Sequence, residues 1–170
     1  MGIGESLLAE LDRESQGTRS TLERVPEDRL GWRPHEKSMA LGELATHLAN
    51  VGSWMTLTVK RDRFDMEPPG EKPQRQGPLD SRKAILQLFD KNLAESREAL
   101  AAASDEDLRQ PWTLLMKGRT LFTLPKVDVL RTFVLNHAVH HRAQLGVYLR
   151  LLDVAVPGLY GPSADEMPRV

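Results

Sequence analysis

The chain has 170 residues, no cysteine, and a formal net charge of −1 from 23 basic and 24 acidic residues. Disulfides, cysteine-ligated metal sites and a cysteine nucleophile are therefore excluded, so a metal ion could be held only by nitrogen and oxygen ligands. The balanced charge predicts no nucleic-acid or membrane partner, and no segment resembles a signal peptide or a membrane span. We expect a single domain over residues 1–170, located in the cytoplasm.

Apolar residues at helical spacing predict helices in the first part of the chain. One is expected over residues 3–24, and a second from Ser38 or Leu41 to about Lys60. Residues 64–79 contain four prolines and two glycines and have no periodicity. This segment is predicted to be a long exposed connection.

The second half of the chain repeats the helical pattern after one interruption. A third helix is expected from Asp80 or Ser81 to about Ala103, and a fourth over residues 125–152. Between them, residues 111–123 have the alternation and the central turn of a β-hairpin. The predicted fold is all-α: a four-helix bundle with a long connection between helices 2 and 3 and a small hairpin before helix 4.

His137 and His141 lie four residues apart in the predicted fourth helix, so their side chains share one face, with Cβ atoms about 5–6 Å apart. That face coincides with the apolar stripe of the helix, where an imidazole without a partner costs about 1–3 kcal/mol. Two rings so placed could bind one metal ion, with nitrogens at about 2.0–2.1 Å. Alternatively, they are core histidines that hydrogen-bond within the protein, since the motif lacks the Glu of a zinc-protease His-Glu-x-x-His helix. Spacing alone leaves both interpretations open.

The predicted second helix carries a further candidate ligand, His47, at the edge of its apolar face. If helices 2 and 4 are neighbours, His47, His137 and His141 would supply three nitrogen donors to one ion. Three protein ligands leave positions open for water or substrate, which is typical of catalytic metal sites.

Three other residues near these motifs are expected to have lesser roles. His140 lies on the flank of the apolar stripe, where it could orient a ligand or belong to a rim or an interface. His35 lies in the loop before helix 2 and is expected to have no direct role. Arg142 projects from the other side of helix 4 and is predicted to be a surface or interface residue.

Three stretches of the sequence resemble the DinB-like family of bacterial four-helix bundles. The first runs from Leu30-Gly31-Trp32-Arg33-Pro34-His35 into residues 38–48, the second covers residues 137–145, and the third is the closing segment 156–163. They occur in the family's order and spacing over nearly the whole chain. One departure is Ala143, where glycine is common, and this departure affects packing more than chemistry.

The resemblance implies that His47, His137 and His141 bind a divalent ion, usually zinc or nickel, with water completing the coordination. It also implies a small-molecule substrate and a homodimer. Members of the family include transferases and isomerases that use low-molecular-weight thiols such as mycothiol, bacillithiol or glutathione. The family name refers to induction by DNA damage and implies no DNA binding.

Three functions remain open from the sequence. In a thiol transferase, the metal would hold a thiolate, and Gln144 could orient a ligand or the thiol. In a metal-activated hydrolase, Glu43 is the candidate general base, although a first-turn carboxylate also favours a helix N-terminus. The third function is a non-catalytic stress protein that binds a metal or a small ligand in a closed site.

Overall fold

Long helices account for most of the chain, of which the computed structural model describes residues 2–71 and 76–167. The first three are α1 (Ile3–Glu23), α2 (Leu41–Lys60) and α3 (Arg82–Ala102). A one-turn helix, α4 (Asp105–Arg109), follows. The last helical stretch consists of α5 (Lys126–Val129), a π-helical segment (Leu130–Leu135) and α6 (Asn136–Leu151).

The ends of these helices follow from local capping chemistry. Ser81 precedes α3, and its Oγ accepts a hydrogen bond from the Ala84 amide at 3.2 Å. At the start of α2, the Glu43 carboxylate accepts from the Ala40 amide at 2.6 Å. Each contact satisfies an amide that the helix itself leaves without a partner. The predicted starts of these two helices are thereby confirmed to within a residue or two.

The helices pack around two apolar clusters, with α2 against α3 and α6, and α1 against α3 and α6. The first cluster lies between α2, α3 and α6, and its buried side chains include Leu44, Leu48, Ile85 and Leu145. The second lies between α1, α2 and the π-helical segment, and its buried side chains include Leu7, Val51, Met55 and Leu130. Burying each such side chain contributes about 1.5–3 kcal/mol. Because α2 contributes to both clusters, it holds a fixed position facing α6.

The predicted hairpin is confirmed, but it belongs to a sheet of three strands, so the chain is not all-α. The strands are β1 (Arg63–Asp65), β2 (Pro111–Met116) and β3 (Arg119–Pro125). β1 pairs parallel to β2, and β2 pairs antiparallel to β3 with an irregular register at Leu114/Leu115. At the hairpin turn, Asp65 accepts hydrogen bonds from the amides of Lys117 and Gly118, at 3.1 and 2.7 Å.

The strand that sequence patterning misses, β1, lies at the start of the segment predicted to be an exposed connection. Three residues are too few to show alternation, and the partner strand is about 50 residues away in the chain. Residues 72–75 of that predicted connection lie outside the described residues. None of the helices in the described ranges combines the length and the apolar character that a bilayer span requires.

Candidate metal centre

Three histidine side chains from α2 and α6 converge at one point between the two helices. The Nε2 atom of His137 lies 3.1 Å from Nε2 of His47 and 2.7 Å from Nε2 of His141. Two nitrogens bound to one ion at 2.0–2.1 Å, with an angle of about 90–110° between them, are about 2.8–3.4 Å apart. The 3.1 Å pair lies within this range and the 2.7 Å pair lies just below it, and the ligand nitrogens of all three rings lie within 4.8 Å of one another. A small movement of the His137 or His141 ring would therefore let these three histidines, which the sequence nominates, bind a single divalent ion.

The hydrogen bonds of two of these rings orient them for metal binding. The Nδ1–H group of His141 donates to the side-chain oxygen Oε1 of Gln144 at 2.7 Å, so in the neutral ring Nε2 carries a lone pair and no proton. That lone pair faces Nε2 of His137. The His137 ring also makes a hydrogen bond to the backbone of Phe133, one turn earlier. A partner on the second ring nitrogen is the usual feature that fixes a metal-binding histidine.

Burial keeps the three imidazoles neutral. The pKa of His137 is lowered from 6.5 to about 4, first by burial and then by the neighbouring charges of His141, His47 and His140. Burial is also the main cause that lowers the pKa values of His47 and His141. Neutral imidazole is the form that binds metal ions. The site is therefore ready for a cation at neutral pH without first losing protons.

An aromatic side chain closes one side of the histidine cluster. The indole of Trp54 packs edge-on against His47 and His137, with ring centroids 5.9 and 5.3 Å away. The π-helical segment ends at Leu135, directly before α6 and two residues before His137. Such segments inside α-helices often occur at functional sites.

Glu43 lies one turn before His47, but its carboxylate is engaged at the helix end. Its Oε2 atom accepts from the Ala40 amide at 2.6 Å, and the Arg33 guanidinium lies 3.9 Å from the same oxygen. The side chain is exposed. These contacts are those of a capping residue.

The other two histidines lie outside the cluster. His140 is exposed, with its ring centroid 4.9 Å from that of His141. His35 is exposed in the loop before α2, where its Nδ1 accepts a hydrogen bond from the Lys37 amide at 3.1 Å.

The prediction that Arg142 is a surface or interface residue is wrong, because its side chain is only 2% exposed. The guanidinium donates to the backbone and the carboxylate of Glu14 in α1, at 2.8 and 2.6 Å, and to the Tyr160 hydroxyl. Burial raises the pKa of Glu14, but hydrogen bonds from Tyr160 and Arg142 outweigh this effect and leave the pKa lower than usual. Sequence patterning misses this contact because Glu14 lies 128 residues away in the chain.

Comparison with known proteins agrees with this geometry. The model of the DinB superfamily matches residues 10–145. The chain belongs to the DinB superfamily. This match confirms the resemblance to the DinB-like family that the sequence motifs indicate. Membership of the family also suggests that the histidine cluster binds a metal ion.

Individual relatives extend the comparison to sequence and fold. The uncharacterized protein YrdA of Bacillus subtilis (strain 168) is 32% identical over 78 residues, which are 44% of this chain and 46% of that protein. The match thus spans about half the length of this relative. A solved DinB-like protein of Bacillus cereus ATCC 10987 has a TM-score of 0.70 at 24% identity, covering 92% of this chain and 97% of its own. The DinB-like protein YjoA of Bacillus subtilis has a TM-score of 0.68 at 15% identity, covering 93% and 99%. At these identities the likeness to the solved structures is one of fold.

Proposed function

We propose that the protein is a metal-dependent enzyme that transfers a low-molecular-weight thiol to a small electrophilic substrate. His47, His137 and His141 would hold one divalent ion, zinc or nickel. The observation that carries the proposal is the convergence of three Nε2 atoms, with neighbouring pairs 2.7 and 3.1 Å apart. Three ring nitrogens this close to one another form a donor set that one divalent ion can bind.

The donor set supports a catalytic site over a closed storage site. In the part of the chain that the structure describes, the cluster consists of three histidines, and no carboxylate joins it. A divalent ion held by three imidazoles keeps coordination positions open to small molecules. When bound, the ion would deprotonate a coordinating thiol, so the chain needs no cysteine of its own.

The residues around the cluster would position the ligands and exclude water. Gln144 holds the His141 ring in the tautomer that presents Nε2. Trp54 covers two of the three rings and keeps that side of the site apolar. An apolar wall strengthens the electrostatic effect of a bound cation, because local dielectric screening is weaker there.

Hydrolysis is the alternative reaction, and Glu43 is its candidate general base. Because the Glu43 carboxylate caps α2, a Glu43→Gln variant, which can still accept from the Ala40 amide, separates the two roles. We expect Glu43→Gln to leave turnover within about twofold of wild type. A fall of about 100-fold or more, with the metal retained, would support the hydrolase instead.

The transferase proposal is tested by a conjugation assay on metal-loaded protein. Mycothiol, bacillithiol and glutathione are each offered with a panel of electrophiles, and formation of the thioether product is followed. We expect turnover that requires one of the thiols, is lost in His137→Ala, and is retained in the control His35→Ala. Metal-loaded protein that shows no thiol-dependent turnover with any of the three would contradict the proposal and favour a binding protein.

We also propose that the long helical stretches form a single four-helix-bundle domain over residues 1–170, and that two such chains pair in the cytoplasm. The pairing rests on family resemblance. Light scattering of the purified protein tests it, since a mass of one chain at micromolar concentration would contradict the dimer.

A further inference from the structure

The helix α6 carries two of the three clustered histidines, yet few of its own residues are buried. The buried ones are Arg142, Leu145 and Leu149. The two leucines lie four residues apart, so they form one apolar ridge on one side of the helix. Apolar contact is not directional, and a ridge of this kind sets the rotation of the helix about its own axis only loosely. Arg142 is the directional contact of the three.

The Arg142 guanidinium joins α6 to α1 and to the closing segment of the chain. Its Nη1 atom donates to the backbone oxygen of Glu14 at 2.8 Å and contacts Thr18 Oγ1 at 3.4 Å, and its Nη2 atom donates to the Glu14 carboxylate at 2.6 Å. The Tyr160 hydroxyl accepts from Nη2 and donates to the same carboxylate at 2.7 Å. The Tyr160 ring also lies 5.3 Å from the guanidinium carbon. We call Glu14, Arg142 and Tyr160 the polar tether.

A glycine inside α1 makes room for the polar tether. A Cβ atom at Gly17 would lie 3.2 Å from Nη1 of Arg142 and 3.0 Å from Cδ2 of Leu159. Glycine weakens the interior of a helix, so its presence here is explained by the close approach of these two side chains. The closing segment, which carries Leu159 and Tyr160, therefore packs against α1 at the same place as the guanidinium.

The polar tether and the metal ligands use different sides of α6. His141 directly precedes Arg142, so their side chains point about 100° apart around the helix. His141 faces His47 of α2, whereas Arg142 faces α1. An imidazole nitrogen lies roughly 6 Å from the helix axis, so a rotation of α6 by about 10° moves it by about 1 Å. Functional groups in binding sites must be held to within about 0.5 Å.

We propose that the polar tether sets the rotation of α6 so that His137 and His141 face His47, which makes Arg142 a positioning residue of the metal centre. This inference gives a role to the closing segment, which the proposed function leaves without one. It rests on the proposed function, since the site that the polar tether positions is the proposed three-histidine site.

The first test follows the imidazole signals of metal-free protein labelled with ¹⁵N-histidine. His47 is the reporter, because it lies on α2, while the hydrogen bonds of Arg142 go to α1 and the closing segment. Its ring contacts those of His137 and His141 at centroid distances of 5.1 and 4.5 Å, so a rotation of α6 changes its surroundings. We expect Arg142→Met to shift the His47 signals and to leave those of the exposed His35 unchanged.

Two further variants separate positioning from stability. Tyr160→Phe keeps the ring beside the guanidinium and removes only the hydroxyl, and the exposed position of Tyr160 lets this variant fold even if Arg142→Met does not. We expect it to shift the His47 signals in the same direction by a smaller amount. Leu108→Ala leaves a cavity in α4, which carries none of the three histidines, and destabilises the fold. We expect it to leave the His47 signals unchanged.

The second test measures zinc affinity by competition with a chromophoric chelator. We expect Arg142→Met to bind zinc about tenfold more weakly than wild type or worse, and Leu108→Ala to bind as tightly as wild type. If wild type binds no metal, the proposed function fails, but the His47 signals still decide this inference. His47 signals that are unchanged in Arg142→Met, or in Tyr160→Phe where Arg142→Met does not fold, would overturn it. Equal shifts in Leu108→Ala would overturn it as well.

Discussion

At the scale of single residues, the candidate site depends on side-chain contacts that differ in how far the sequence predicts them. The histidine set is predictable, because His137 and His141 share a helix face and His47 lies on the apolar edge of another helix. The contact between His141 and Gln144 is local, three residues apart, and it is accessible from helical geometry. The hydrogen bond from the Ala40 amide to Glu43 is also local. For this reason the sequence already offers helix capping as an alternative to a catalytic role for Glu43.

Replacing Gln144 tests whether it supports a metal ligand. In Gln144→Met the acceptor for His141 Nδ1–H is lost, so the ring can rotate or change tautomer. Loss of such a partner typically lowers metal affinity by about 10–100-fold. Competition with a chromophoric chelator measures this affinity.

The matched control is Gln110→Met, because Gln110 is also exposed and its side-chain Nε2 donates to the backbone carbonyl of Glu106 at 3.3 Å, away from the histidine cluster. We expect no change in metal affinity for this variant. If Gln144→Met binds metal as tightly as the control, the hydrogen bond does not orient His141.

At the scale of elements, a buried polar contact ties α1, α6 and the C-terminal segment together. Arg142 of α6 reaches Glu14 of α1, and Tyr160 of the final segment donates to the same carboxylate at 2.7 Å. The neighbouring pair of Arg150 with Asp165 is also close, at 2.6 Å, but the Arg150 side chain is half exposed. Because the first contact is buried and the second is not, their energies should differ.

Replacing Arg142 by Met should therefore destabilise the fold much more than replacing Arg150. In Arg142→Met, the partly buried Glu14 carboxylate keeps its hydrogen bond from Tyr160 but loses the guanidinium, and we expect a loss of about 1–3 kcal/mol. Arg150→Met removes an exposed pair, for which we expect a much smaller loss. Urea denaturation of metal-free protein gives the free energy of unfolding of each variant. Equal decreases for the two variants would show that the Arg142 contact stabilises the fold no more than the exposed pair does.

The elements themselves differ in predictability for physical reasons. The three long helices and the hairpin are predictable because their periodicity and turns are local in sequence. The π-helical segment is not, since Leu130–Leu135 has an ordinary helical pattern. β1 is not predictable either, because it is stabilised by parallel pairing with a strand far along the chain.

At the scale of the whole molecule, the neutral histidines link the stability of the metal-free protein to pH. The pKa of His137 is about 4 in the folded chain and about 6.5 when unfolded, and the pKa values of His47 and His141 are lowered in the same direction. Between these values the unfolded chain binds more protons than the folded one. Stability is therefore full above about pH 6.5 and falls as the pH approaches 4.

This dependence predicts a flatter profile for a variant without the central ring. Metal-free His137→Gln should lose less stability than wild type between pH 7 and pH 4.5, as measured by urea denaturation. Asp165 has little effect on stability in this pH range. Hydrogen bonds from Arg150 and Val156 lower its pKa to about 2, so the stability that it contributes is lost mainly below about pH 4. Identical slopes for the variant and wild type would show that His137 is not buried in neutral form.

The most direct measurement is the metal content of protein purified without a histidine tag and loaded in turn with zinc and nickel. Wild type and the control His35→Ala should each carry about one divalent ion per chain, and His47→Ala should lose it, since two imidazoles on one helix hold a metal poorly. Absence of metal from wild type under every loading condition, or full retention by His47→Ala, would contradict the three-histidine site.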